Sequence, residues 1–305
     1  MVIFTKSFNK INFNFFIKIT KFYIVIDFII SYCQYNKLLR GVTNIVEKLY
    51  SSDEQVSLAL RISRRTLGLS TNPGEHGLIV LFLITILLLF YFKSKEKDNS
   101  IYICFLGIYS ILTSQSQTAF VGFIFMNFLV FLFFIKKEKN NFRFRFYFIL
   151  LSLAVFGFVY KFLNELRYLL SLFELGLNRS SYVKREVKTS LLIDKAFSEP
   201  QNIFLGWGKT FFGHYSTAMD NEHLYIYLVY GPFIYLLLIF LLIRFIWKNI
   251  TKKLFYNQLF LILIVLGLPL SWPNSYYLTP KILMLLVIFY INFYNNKKNE
   301  GNFIS

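Results

Sequence analysis

The stretch HGLIVLFLITILLLFYF, His76 to Phe92, runs for seventeen residues without a charge. The hydrocarbon core of a bilayer is about 30 Å thick, and a helix needs about 17–25 apolar residues to cross it. This stretch therefore predicts a membrane-spanning helix. Working outward, the runs Thr118–Ile135, Phe146–Phe162, Leu224–Ile243, Leu254–Leu270 and Tyr276–Tyr294 meet the same criterion. Ile101–Leu112 is shorter, and the uncharged string Thr113-Ser114-Gln115-Ser116-Gln117 completes it if that string lies in a protein-lined cavity. Phe22–Cys33 is the weakest run because it contains Asp27. Together these predict an all-α polytopic membrane protein with about seven to eight transmembrane helices. The composition agrees: 305 residues, 56% hydrophobic and 20% aromatic, with 38 Phe and 21 Tyr, are unlike a soluble domain.

A net charge of +17 raises the question of nucleic acid, and its distribution answers it. Residues 1–21, 93–99, 136–145, 244–253 and 295–300 together hold 18 Lys/Arg and 4 Asp/Glu, which is +14 of the total. With eight helices these five segments share one side of the membrane, and an excess of Lys and Arg marks the cytoplasmic side. Both termini are predicted inside, with some attraction to anionic lipid and no nucleic-acid partner. Lys6, Lys10 and Lys18 are not followed by a long apolar region and a cleavage site, so the first span is expected to serve as its own insertion signal. Cys33 and Cys104 fall near opposite ends of their helices, and no disulfide between them is expected.

The chain divides into an N-terminal segment (1–75) with the weak span 22–33 and an outer loop, transmembrane helices over 76–162, a large outer loop over 163–222, and C-terminal transmembrane helices over 223–305. The large loop balances basic and acidic residues, so its charges are no topology signal and chemistry can reside there. Ser180 or Ser181 is placed to cap a helix running toward Ser198, with Pro200 beyond it. Lys184, Arg185 and Lys188 share one face of that helix, and Val183, Val187 and Leu191 another, as expected of a helix lying on a membrane surface.

No P-loop, GxGxxG, GxSxG or HExxH occurs, and no close Cys/His pair. Nucleotide chemistry has no support, and neither metal nor cofactor is expected. All three histidines, His76, His214 and His223, are predicted near the outer face. There a lone histidine at a helix end usually caps the helix or sits at the interface.

Four outer fragments remain. The first is Arg65-Thr66-Leu67-Gly68 followed by Thr71-Asn72-Pro73, and the second is Thr113-Ser114-Gln115-Ser116-Gln117-Thr118. The third is Arg179, a helical segment, then Phe204-Leu205-Gly206-Trp207-Gly208. The fourth is the stretch MDNEHLYIYLVYG, Met219–Gly231, in which Asp220-Asn221 precedes Gly231 by nine intervening residues. In order and spacing this set resembles the outer-face motifs of the O-antigen polymerase and O-antigen ligase family over about residues 61–295. Gln117 stands where arginine is frequent in that family, Asp220 stands in place of the ligase histidine, and Ile234 in place of a final glycine. The Asp-Asn form is closer to the polymerases. Family members usually have more spans than the eight counted here, which implies a short or N-terminally truncated member.

The resemblance implies a GT-C-like helical fold and transfer of a sugar chain from polyprenyl diphosphate to a hydroxyl of another lipid-linked oligosaccharide. The glycosyl diphosphate bond supplies the driving force. The expected partners are that lipid-linked oligosaccharide, membrane lipid and a chain-length regulator protein. Stabilising the leaving diphosphate suits arginine, whose planar fork binds two phosphate oxygens at once. Arg65, Arg179 and Arg185 are the candidates, with Lys281, just behind Pro280, a fourth that otherwise simply snorkels. Asp220, Glu222 or His223 is left to accept the hydroxyl proton, Asp220 by its motif position, with Asn221 orienting the sugar. The plainer reading of Asp220 and Asn221 is a cap on the helix that begins near Leu224. Gly206, Gly208 and Gly231 belong to the motif framework. A ligase, or a transporter or flippase of lipid-linked sugars, is the alternative.

Overall fold

The computed structural model describes residues 13–38, 65–70, 72–93, 99–135, 146–151, 204–208, 221–250, 255–271 and 281–287, with scattered positions between 153 and 198. Among the described residues the regular structure is helical and no strand occurs. The helices are α1 (Phe13–Tyr35), α2 (Pro73–Lys93), α3 (Ser100–Ser114), α4 (Gln117–Ile135), α5 (Glu222–Ile250) and α6 (Phe255–Leu270). Shorter helical stretches occupy 146–151 and 281–287. The chain forms two compact units, Met1–Leu170 with Lys281–Ser305, and Ser171–Pro280.

In the first unit α2 is the central helix, packed on α1, α3 and α4. Of its apolar window 89% is buried inside the protein, and Val80, Leu81, Phe82, Ile84, Ile86, Leu87 and Leu88 are all at 0% exposure. A helix that is apolar on every side belongs in such a place. Between apolar helices close backbone approach does the work of association. A Cβ on Gly77 would lie 2.6 Å from Ala119 Cβ, and one on Gly107 would lie 2.7 Å from Ile84 Cδ1. A buried Tyr147 hydroxyl donates to Asn127 Oδ1 at 2.9 Å and ties the 146–151 stretch to α4.

Helix α1 is longer than the expected span Phe22–Cys33. Nine of its described residues are buried, and six of them, Ile17, Thr20, Ile24, Asp27, Ser31 and Gln34, follow alternating steps of three and four along a single stripe, with Phe16, Cys33 and Tyr35 buried beside it. Lys18 lies on the exposed side, and Lys21 donates to Asn99 Oδ1 at 3.0 Å in the turn before α3. The two lysines therefore sit off the stripe and do not stop the helix.

The ends of α2 and α3 follow from local chemistry. Asn72 Oδ1 accepts the Glu75 N–H at 2.8 Å, and Pro73 opens the helix where its missing donor costs nothing. At the end of α3, Gln115 adopts a left-handed conformation (φ 49°, ψ 29°) and its N–H bonds Leu112 O. Ser116 Oγ then accepts the Ala119 N–H at 3.3 Å to start α4. The uncharged string expected to line a cavity is a buried turn between helices, with Thr113, Ser114 and Gln115 at 0% exposure. Cys33 and Cys104 are free and buried.

In the second unit α5 packs against α6, with the rings of Phe245 and Phe260 edge to face at 5.4 Å. The expectation of one uninterrupted span over Leu224–Ile243 is corrected here. Gly231 (φ 80°, ψ 168°) breaks the helix ahead of Pro232. The His223 and Tyr235 rings lie 6.2 Å apart and those of Tyr227 and Tyr235 6.1 Å apart, whereas twelve residues of straight helix advance about 18 Å. The chain thus folds back at Gly231 into a short arm, 222–230, and a long arm, 232–250. The long arm exposes Phe233, Leu236, Leu237, Phe240, Leu241 and Trp247. By length and apolarity two segments, Pro73–Phe92 and Glu222–Asn249, qualify to cross a membrane.

Candidate functional site

Two of the four sequence fragments meet in the first unit. Thr66 N–H donates to Thr113 O at 3.1 Å, the two threonine hydroxyls share a 3.1 Å bond, and Arg65 Nε donates to Ser114 O at 3.2 Å. The segment Arg65–Ser70 thereby lies along the turn that ends α3. Its other side is held by α1 and the first turn of α2. Gln34 Oε1 accepts the N–H groups of both Leu67 (2.9 Å) and Gly68 (3.0 Å), and Asp27 Oδ1 accepts that of Leu69 at 3.2 Å. Ser70 N–H closes the turn on Leu67 O at 2.9 Å. Every backbone donor from Thr66 to Ser70 thus has a fixed acceptor, which a buried loop requires.

Beneath this segment His76 and Asp27, both at 0% exposure, approach to 2.9 Å between Nε2 and Oδ2. The other ring nitrogen, Nδ1, lies 3.2 Å from Thr66 O. A carbonyl oxygen only accepts, so Nδ1 carries a proton. A proton placed between Nε2 and the carboxyl group, as an imidazolium donating to a carboxylate or a carboxylic acid donating to a neutral ring, would satisfy both atoms. Both arrangements are neutral overall, and a neutral pair avoids the several kcal/mol that a lone buried ion costs. Ser31 Oγ stands 3.5 Å from Nε2. Gly68, at φ 50°, covers the pair so closely that a Cβ there would overlap both Asp27 Oδ1 and His76 Nε2.

This pair was not among the residues expected at the site. His76 was expected to cap or to lie at the interface, and Asp27 only weakened a span. The sequence does carry a sign of it. Asp27, Ser31 and Gln34 stand at i, i+4 and i+7 in an otherwise apolar helix, which puts three hydrogen-bonding side chains on one face.

The other two fragments meet in the second unit. Where α5 breaks, Pro232 has no N–H to offer Leu228 O, and the turn at Gly231 carries the next donor away from Val229 O. The Gly206–Gly208 turn replaces both bonds: Trp207 N–H donates to Leu228 O at 2.8 Å and Gly208 N–H to Val229 O at 3.0 Å. Gly206 (φ 79°), Gly208 (φ 69°) and Gly231 (φ 80°) all have positive φ. A Cβ on Gly206 would stand 2.5 Å from Gly231 N, and one on Gly231 would stand 2.6 Å from Phe204 O.

At the start of the short arm, Asn221 Oδ1 accepts the Leu224 N–H at 3.0 Å, so Asn221 is an N-cap. Glu222 is 1% exposed and its N–H donates to Ser271 O at 3.0 Å. His223 Nε2 lies 2.7 Å from Ser271 Oγ and its Nδ1 3.4 Å from Tyr235 O–H, so the ring bridges the end of α6 and the long arm of α5. Asn221→Ala is expected to lower stability by about 1 kcal/mol in thermal unfolding in detergent. Asn221→Asp, which keeps a capping oxygen, is expected to restore it. Loss of activity in the Asp variant at wild-type stability would show that Asn221 does more than cap.

Lys281 Nζ pairs with Glu75 Oε1 at 3.0 Å within the first unit, so the last helical stretch is tied to the start of α2. Lys281 is half exposed, and a pair of this kind contributes little to stability. Asp220, Arg179 and Arg185 lie outside the described residues. Among the described residues no group of three or more His, Cys, Asp or Glu is arranged to hold a metal ion. Val183, Val187 and Leu191 of the proposed surface helix are helical and exposed. No protein-family model, curated protein or solved structure matches the chain.

Proposed function

We propose that this protein polymerises oligosaccharide repeat units carried on polyprenyl diphosphate at the outer face of a bacterial cytoplasmic membrane. In this reading the chain crosses the membrane seven or eight times with both termini in the cytoplasm. One observation carries it: the four sequence fragments that resemble O-antigen polymerases join in pairs. Residues 65–68 bond to the 113–114 turn, and residues 206–208 bond to the helix broken at Gly231. The first pair lies 47 to 49 residues apart in sequence and the second 21.

The proposed reaction is a displacement at the anomeric carbon of the growing chain. A sugar hydroxyl of the incoming unit forms the new C–O bond, the bond to the diphosphate oxygen breaks, and the diphosphate leaves with the electron pair. Cations offset its developing charge, the candidates being Arg65 and Lys281 in the first unit and, outside the described residues, Arg179 and Arg185. Asp220 takes the hydroxyl proton and Asn221 orients the sugar by hydrogen bonds, while Glu222, 1% exposed, and His223, engaged through both ring nitrogens, support the start of the short arm. The arginines do most where water is excluded and the fork is already in position.

A second reading has one observation in its favour. Buried ionisable pairs inside spans are typical of transporters that move protons with their cargo, and Asp27–His76 is such a pair. The polymerase reading is preferred because His76 sits in the first turn of α2, at a helix end rather than mid-span.

The test is a surface-polysaccharide ladder in a strain lacking its own polymerase. The wild-type chain is expected to restore long chains, and Asp220→Ala, Arg179→Ala and Arg65→Ala to leave single repeat units at normal membrane level. Full ladders from all three variants would sink the polymerase reading. If losing the protein leaves no repeat unit attached at all, a ligase is indicated instead.

A further inference from the structure

We propose that Asp27, acting with His76 and Gln34, is a positioning residue: a charge-neutral latch on α1 that holds the Arg65–Ser70 segment and thereby sets the direction in which Arg65 meets an anionic diphosphate. The part concerning the diphosphate rests on the polymerase reading, and the latch itself does not.

The latch catches three consecutive backbone donors, those of Leu67, Gly68 and Leu69, on two side chains about two turns apart on α1. The preceding carbonyl, Thr66 O, takes His76 Nδ1. Both carboxyl oxygens of Asp27 are engaged, Oδ1 by Leu69 N–H and Oδ2 by His76 Nε2, and neither residue is exposed at all. A group so enclosed has no path to a substrate proton, so its role is in the position of what it holds. The residue at the head of the held segment is Arg65. Its Nε is fixed on Ser114 O, and fixing Nε sets the plane of the guanidinium group. Bidentate recognition of a diphosphate depends on that plane, and small misplacements of such a clamp are costly.

A latch needs a hydrogen-bond pattern, whereas a proton carrier needs a proton that comes and goes. Asparagine at position 27 separates the two. Its Oδ1 accepts the Leu69 N–H, and its Nδ2–H donates to Nε2 of a neutral His76 whose Nδ1–H stays on Thr66 O. Alanine leaves the Leu69 N–H without its acceptor and His76 Nε2 with only the 3.5 Å contact to Ser31 Oγ. Gln34→Leu breaks the latch from its other side and leaves the Asp27–His76 pair intact.

The experiment uses the full-length chain in native membranes, with Cys33→Ser and Cys104→Ser and a reporter, Ser70→Cys, at a position of 0% exposure. The rate of maleimide labelling reports opening of the segment, and the polysaccharide ladder reports activity. Asp27→Ala and Gln34→Leu are expected to raise labelling about tenfold and shorten the ladder, since local opening exposes what the latch covers. Asp27→Asn is expected to match the unaltered reporter chain in both. Unchanged labelling in both Asp27→Ala and Gln34→Leu would overturn the latch. A lost ladder in Asp27→Asn at unchanged labelling would also overturn it, because the pair would then be moving a proton. Labelling that follows the expected pattern while no chain, wild type included, makes polysaccharide would support the latch and remove the polymerase reading.

Discussion

Gly68→Ala is expected to destabilise the first unit by more than about 3 kcal/mol and to abolish activity, a large effect for a single methyl group. Two costs add. A non-glycine residue held at the φ of 50° costs on the order of 1 kcal/mol. The greater part is steric, because the new Cβ would overlap both Asp27 Oδ1 and His76 Nε2. Neither can withdraw without breaking a bond to that same segment, Asp27 to Leu69 N–H and His76 to Thr66 O. Either the segment lifts off α1 and leaves Leu67, Gly68 and Leu69 N–H without acceptors, or the Asp27–His76 pair separates. Parting such a buried pair costs about 3–5 kcal/mol. Thermal unfolding in detergent checks the prediction, alongside the substitution Leu69→Ala, whose side chain is exposed. A Gly68→Ala protein as stable as wild type would mean that the close cover over the pair is not a constraint.

Gly206→Val is expected to be comparably damaging in the second unit, while Pro232→Ala is expected to cost about 1 kcal/mol or less. The contrast follows from where the bonds of the broken helix go. A side chain on Gly206 would meet Gly231 N and Val229 O, both 2.5 Å from the built Cβ, and push the 206–208 turn off the two carbonyls it caps. Leu228 O and Val229 O would then be left inside without donors, at about 1–3 kcal/mol each. Replacing Pro232 offers a donor to Leu228 O, but Trp207 N–H already fills that place and Gly231 still holds the turn. Equal unfolding temperatures for Gly206→Val and wild type would show that the turn does not support the break. A large loss in Pro232→Ala would show that proline, rather than the Gly206–Gly231 contact, makes it.

Much of this was legible in sequence because it depends on local composition. His76–Phe92 identified the central helix, since a run that apolar has no polar face to offer water. Asn221 marked the start of the short arm, because an N-cap acts over three residues, whereas in sequence Asn72 and Pro73 are only part of the resemblance, and the structure shows that they open α2. The resemblance picked out Gly206, Gly208 and Gly231 as framework residues without saying what they do. It took the fold to show that they lie back to back, because that requires a turn near 206 and a helix near 231 to meet. The run Leu224–Ile243 read as one span for a related reason: its hydrophobicity is continuous across Gly231-Pro232, and hydrophobicity carries no information about direction.

The sequence by itself determined the helical class and the positions of most helices, both of which follow from composition counted along the chain. Only the tertiary structure decided that Asp27 and His76, 49 residues apart, neutralise each other, and that Arg65 is held by a helix that precedes it and a turn that follows it. The physical reason is that a buried polar group is defined by its partner. An aspartate in an apolar run reads as a flaw in a span until the histidine that shares its proton is seen beside it.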